Sequence, residues 1–165
     1  MFKEIKATDI SENIIDMISR EWMLITAGSK SGYNMMTASW GFMGEMWGAH
    51  CALAVVRPQR YTMEFIEKND YFTLSFYGDN KKIHKVCGSM SGRDVNKTEL
   101  TGLTPCFCEK APYFCEARLV IVCKKQYVGR LEESGFTDKE PLAKWYNGDL
   151  HYTVIGRIEK VLVKK

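Results

Sequence analysis

The sequence predicts a mainly β protein, an antiparallel β-barrel with added helices. Three observations carry this. Strand-like runs recur along the chain. Helical patterns interrupt them without alternating regularly, which disfavours a doubly wound parallel sheet. No glycine-rich loop of the dinucleotide or P-loop type occurs.

Residues 2–6 read as a short strand. Asp9-Ile10-Ser11-Glu12 has the form of a capping box, and Ile10, Ile14, Met17 and Ile18 recur at helical spacing, so a packing helix follows. Residues 22–27 are a buried-strand candidate, and residues 28–32 form a turn. The stretch 34–48 organises the rest. Met36, Ala38, Trp40 and Phe42 alternate with Thr37 and Ser39, which predicts a strand with one packed face and one small, hydroxyl-bearing face. Gly41, Gly44 and Gly48 suggest bulges or a hairpin bend. Residues 49–56 are a nearly continuous apolar run, an interior strand that stops at Arg57-Pro58. Pro58 suits a first helical turn, so a helix is expected over 59–69. A strand is expected over 71–77, a short helix over 81–87, and a turn at 91–94 leading to a short helix over 95–100. Residues 102–115 read as loop, 119–128 as strand, 131–147 as helix or lid, and 151–163 as a closing strand bent at Gly156.

The 165 residues, 45% hydrophobic, suit one domain over 1–165 with a real core. The net charge of +3 is mild and its basic residues are dispersed, which gives nucleic-acid or membrane binding no support. No apolar run is long enough to span a bilayer, and no signal-peptide pattern opens the chain, so a cytoplasmic protein is expected. The six cysteines form no CxxC pair, and the histidines lack zinc-ligand spacing. They are expected to be reduced, buried small hydrophobes. Cys106-Phe107-Cys108 is the close pair that could hold a metal or a redox couple.

Two basic stretches could carry chemistry. Arg57-Pro58-Gln59-Arg60-Tyr61-Thr62 puts two guanidinium forks and a hydroxyl at an expected helix start, where free N–H groups favour an anion. The alternative is a solvated arginine pair beside a structural proline. In Ser91-Gly92-Arg93-Asp94-Val95-Asn96-Lys97, Asp94 is a good N-cap, which places Lys97 in the first turn. A cation there is of the wrong sign for the helix unless an anion binds; the alternative is a lysine turned into water. Trp40, Trp47, Tyr61, Tyr113, Trp145 and Tyr152 are either core residues or the walls of a planar-ligand site. His151 is a candidate titrating or donating group, while His50 and His84 have no evident partner. No nucleophile–base signature appears.

These residues resemble a known family. Asn34-Met35-Met36-Thr37-Ala38-Ser39-Trp40-Gly41, then Val56-Arg57-Pro58-Gln59-Arg60-Tyr61-Thr62, then the stretch from Ser91 to Lys97 are similar in order and spacing to flavin reductase-like proteins of the flavoredoxin type. The resemblance covers the chain from about residue 22 onward. It implies an FMN-binding split barrel of Greek-key topology, usually a homodimer with flavin near the subunit interface. It implies that Met36, Thr37, Ala38, Ser39 and Trp40 line the isoalloxazine ring, largely through backbone groups. It places Arg57, Arg60, Thr62 and Lys97 around the phosphate, with Asn34, Val56, Pro58, Tyr61 and Ser91 of the same motifs on the cofactor surface. Trp40 and His151 are the candidate catalytic residues on the substrate side. The implied activity is transfer of hydride from NAD(P)H to flavin and of electrons onward to an acceptor. The alternatives are a flavoredoxin-like electron carrier with tight FMN, or a non-catalytic flavin-binding protein. One departure counts against direct NAD(P)H oxidation and leaves room for the carrier. The Gly-Asp-His triplet that the family associates with nicotinamide use stands here as Gly148-Asp149-Leu150-His151, with a leucine inserted.

Overall fold

In the computed structural model, which describes all 165 residues, one antiparallel sheet of eight strands dominates. Its strands are β1 (Phe2–Ile5), β2 (Met23–Ser29), β3 (Gly32–Ala38), β4 (Gly41–Met46), β5 (Ala49–Val56), β6 (Tyr71–Phe76), β9 (Leu119–Arg130) and β10 (Tyr152–Lys164). The short β7 (Pro105–Cys106) and β8 (Tyr113–Phe114) form a separate hairpin. The order β3-β2-β6-β9-β10-β5-β4, with β1 beside β10, puts β3 and β4 at the two ends of the path. Only Ser39 and Trp40 join them in sequence. The sheet is therefore curled and split along the β3–β4 seam, a split barrel with helices around it.

Five helices interrupt the strands: α1 (Ile14–Asp16, continued by a π turn over Met17–Glu21), α2 (Thr62–Lys68), α3 (Lys81–Ser89), α4 (Lys97–Thr101) and α5 (Glu140–Trp145). None is long and apolar enough to cross a membrane. Two apolar clusters fill the inside. The larger holds Met23, Ile25, Met36, Ala52, Ala54, Phe72, Leu74 and Ile121; the smaller holds Leu24, Met35, Tyr77, Ile83, Phe114 and Val120. Adjacent residues of β2 and β3 thus serve opposite sides, as the pleat requires.

Several expectations need correction. The alternating stretch 34–48 is not one strand: it breaks at Ser39-Trp40, so Met36 and Ala38 are buried whereas Phe42 is 71% exposed. The helix expected from residue 59 begins at Thr62, because residues 58–61 make a turn in which Arg60 N–H donates to Arg57 O at 3.0 Å. The N-cap of α4 is Asn96, whose side-chain Oδ1 accepts from Thr98 and Glu99 N–H; Asp94 lies outside the helix. The capping interaction expected at residues 9–12 is made instead by Asn13, whose side chain accepts from Ile15 and Asp16 N–H. Trp22 precedes β2 with a left-handed φ of 72°. Finally, Cys106 and Cys115 form a disulfide across β7 and β8, so the cysteines are not all reduced. Gly156 does mark a bulge between β10 and β9, where a Cβ would lie 2.6 Å from the Phe72 ring.

Candidate functional site

The seam end of β3 opens into a hollow of about 320 Å³. Met36, Thr37, Ala38, Ser39 and Trp40 form one wall; Val55, Arg57, Arg60, Trp145 and His151 form the rest. Because β3 has a single strand neighbour, half its N–H and C=O groups point away from the sheet. This wall therefore offers backbone donors and acceptors to a flat ligand.

Each wall has an evident anchor. Thr37 Oγ1 donates to His84 O at 3.1 Å and lies 3.1 Å from His84 Nδ1. A hydroxyl has one proton, so Nδ1 carries the hydrogen and His84 is the Nδ1–H tautomer. Its Nε2 is left buried without a partner. Burial, helped by Lys81, pushes the His84 pKa down to about 4, so the ring is neutral. Arg60 Nη1 donates to Gly88 O at 2.7 Å. Together these contacts tie the site wall and the 57–60 turn to α3.

Arg57 is held from the other side. It pairs with Asp149, and its Nη2 donates to Trp145 O at 2.9 Å. Gln59 Nε2 also donates to Asp149, at 3.0 Å. Gln59, the Asn147 N–H and Arg57 hold the Asp149 carboxyl well below the usual carboxylate range. The segment 131–150 therefore straps across the hollow. Trp145 meets Trp40 edge to face at 5.2 Å, His151 sits 5.2 Å from Trp40, and Tyr146 Oη lies 2.9 Å from His151 Nδ1. Burial, then the nearby Arg57, pushes the His151 pKa down to about 4, so His151 is a neutral group at ordinary pH.

The basic residues named from sequence do not all meet. Thr37, Arg57 and Arg60 share the hollow, but Lys97 does not line it. Lys97 is buried, and its Nζ donates to Met35 O at 2.8 Å and Cys87 O at 3.1 Å. It lines a second cleft of about 500 Å³ with Lys30, Tyr33, Asn34, Gly92 and Arg93. Thr62 is fully buried and accepts from Asn34 Nδ2 at 2.8 Å. Val56 is buried in the core. Pro58 lies in the turn before α2, and Ser91 accepts from Arg93 N–H at 3.2 Å. Tyr61 packs on Phe65 and under Arg93, whose guanidinium carbon sits 4.5 Å from the ring centroid. Of the other aromatics, Tyr113 is buried against Phe2 and Trp47 stands at the β4–β5 hairpin tip. His84 and Asp149 were not singled out as site residues from sequence. A lone histidine on a helix carries no local signal, and the partner of Asp149 is 92 positions away.

The chain matches the family model described as the flavin reductase-like domain over residues 16–165. It belongs to the flavin reductase-like family. No match was found among curated proteins. Among solved structures, the flavin reductase-like chain is similar to flavoredoxin from Methanosarcina acetivorans, with 23% identity over 88% of this chain and 69% of that one, and a TM-score of 0.68. It is also similar to an FMN-binding domain of a flavin reductases-like enzyme from Shewanella baltica, with 17% identity, coverage of 99% and 77%, and a TM-score of 0.69. Flavoredoxin of Desulfovibrio vulgaris aligns at 20% identity over 98% and 78%, with a TM-score of 0.68. At such identities the likeness shows the fold, and family membership rests on the domain match.

Proposed function

We propose that this flavin reductase-like chain, taken as one domain over 1–165, is an FMN-binding oxidoreductase that uses NAD(P)H and passes electrons to an acceptor. The observation that carries the reading is the hollow itself. An edge strand with free backbone groups, two arginines and two tryptophans suit a flat, polar-edged, phosphorylated molecule, and these features converge without a nucleophile–base pair. Bound there, FMN would supply the hydride-accepting ring. The chain's own residues do the rest. Residues 36–40 orient the ring through N–H and C=O groups, with the Thr37 hydroxyl locked by His84. Arg60 and Arg57 have donors left over from their protein contacts to take an anionic end. Trp40 and His151 flank the substrate side, and the 131–150 strap excludes water.

A second reading is an electron carrier with tight FMN and no nicotinamide use. Trp145 packs edge to face on Trp40 and is fastened through Arg57, which narrows the room beside a bound flavin and favours this reading. The test is direct. Protein loaded with FMN is mixed anaerobically with NADH or NADPH and the flavin absorbance followed. Bleaching by either supports the oxidoreductase. Bound flavin that neither reduces supports the carrier. Protein that takes up no flavin overturns both.

A homodimer belongs to the same proposal. Beside the hollow, Ile15 and Phe42 are 75% and 71% exposed, and Trp47, at the far tip of the β4–β5 hairpin, is 59% exposed. Ile15 and Phe42 line an apolar groove of about 700 Å³ that shares Ser39, Trp40 and Val55 with the hollow. A second copy covering this face would complete the site. The compartment proposed is the cytoplasm.

A further inference from the structure

We propose that the β7–β8 hairpin is a thiol–disulfide exchange site, with a dithiol as substrate, and that its redox state sets the tightness of the cleft beside β3. The β8 side of this hairpin is anchored. Tyr113 and Phe114 are buried, and Thr73 Oγ1 donates to Pro112 O at 2.7 Å. The β7 side is held more lightly: Cys106 packs at the margin of the smaller core, but Phe107 and Cys108 beyond it are exposed, and each strand is two residues long. The Cys106–Cys115 bond is the covalent tether between the two sides. Both cysteines are half-buried, with Cys106 at the margin of the smaller apolar core. Cys108 is a free, exposed thiol two residues from Cys106, with its Sγ 2.9 Å from the Oη of Tyr113, the cross-strand partner of Cys106. A reagent that reaches Cys108 reaches this end of the hairpin. The other free cysteines, Cys51, Cys87 and Cys123, are buried.

The exchange balances without another component. A thiolate of the dithiol attacks one sulfur of the Cys106–Cys115 bond. The other cysteine leaves with the bonding pair and takes a proton. The second thiolate then attacks its own sulfur in the mixed disulfide, and the remaining cysteine leaves and is protonated. The dithiol is oxidised to a disulfide by two electrons, and the protein bond is reduced by two.

The consequence reaches the cleft through Phe107. Its ring packs on Tyr33 at 5.5 Å, and Tyr33 Oη is 3.0 Å from Thr98 Oγ1. Tyr33 and Thr98 line the cleft that also holds Asn34 and Lys97. Cutting the tether loosens the Phe107 end and weakens the outer support of Tyr33, which stands on β3, the strand that walls the hollow. This part of the inference rests on the flavin reading.

The experiment compares the folded protein after oxidised and after reduced dithiothreitol, using alkylation with mass spectrometry and FMN titration. Cys106 and Cys115 should be blocked in the first sample and labelled together in the second. Cys108 should be labelled in both, and Cys51, Cys87 and Cys123 in neither. FMN affinity should fall fivefold or more on reduction, and a Cys106→Ser/Cys115→Ser variant should show the weaker affinity in either reagent. Labelling of Cys106 and Cys115 in the oxidised sample, or their resistance to reduction in the folded protein, overturns the exchange site. FMN affinity that ignores redox state overturns the link to the cleft. Absence of FMN binding in both states overturns the flavin reading instead, and the labelling still decides the exchange site.

Discussion

Lys97 shows how a charge near a proposed ligand can have structural work of its own. Its ammonium group satisfies the Met35 and Cys87 carbonyls inside the protein, and burial lowers its pKa. Lys97→Met should leave both oxygens without that donor, at about 1–3 kcal/mol for each buried group so stranded. The urea midpoint of flavin-free protein should therefore fall; an unchanged midpoint would return Lys97 to a purely ligand-binding role. Arg60 makes the converse case, with one protein contact and several donors free. Arg60→Ala should weaken FMN about tenfold or more while riboflavin is affected much less, since each charge-assisted phosphate bond contributes roughly 1.5–3 kcal/mol. Equal losses for the two flavins would remove Arg60 from the phosphate end. His84 and His151 add a pH dependence. Both have folded pKa values of about 4 against 6.5, so the unfolded chain binds more protons between those values. Stability is then full above about pH 6.5 and is lost as pH falls towards 4. At about 1.4 kcal/mol per unit, His84 alone accounts for roughly 3 kcal/mol. Denaturant melts at pH 7 and pH 5 should show the loss, and His84→Gln should roughly halve it, His151 keeping its share.

At the scale of elements, the site is held by two clamps. One is the approach of the 91–97 segment to β3. A Cβ on Gly92 would lie 2.1 Å from Asn34 Oδ1, the side chain whose amide donates to buried Thr62. Gly92→Ala must displace Asn34 and cost stability by about 1–3 kcal/mol through the stranded Thr62 hydroxyl, a loss that thermal melts would register. The other is the 131–150 strap. Helix α5 has no buried residue, so the strap is held by contacts outside the helix face, among them Asp149 on Arg57, Trp145 on Trp40, Tyr146 on His151 and the buried Leu150. Asp149→Asn should weaken that hold. In stopped-flow mixing FMN should associate and dissociate faster, whereas unchanged rates would mean the strap does not gate the hollow.

For the whole molecule, the curled sheet decides which surfaces are left over. β4 ends the sheet path and leaves the large side chains of Phe42 and Met46 exposed. A Phe42→Asp/Trp47→Lys variant should elute as a monomer and bind FMN more weakly, if a second copy covers this face. Unaltered elution would sink the dimer. Much was legible in the sequence because it is local. Period-two alternation marked β3, apolar runs marked β5 and β6, and three motifs in order marked the family. Residues 36–40, Arg57 and Arg60 were named because they stand inside those motifs; Trp145 and His151 were named as an aromatic and a lone histidine, and Val55 not at all. What the sequence could not show is pairing at a distance: Asp149 on Arg57, His84 behind Thr37, Lys97 turned inward, and Cys106 joined to Cys115. Hydrophobic spacing and turn chemistry act between near neighbours, so they fix elements. The direction in which a long charged side chain spends its donors depends on which carbonyls the folded sheet leaves bare, and only the tertiary structure decides that.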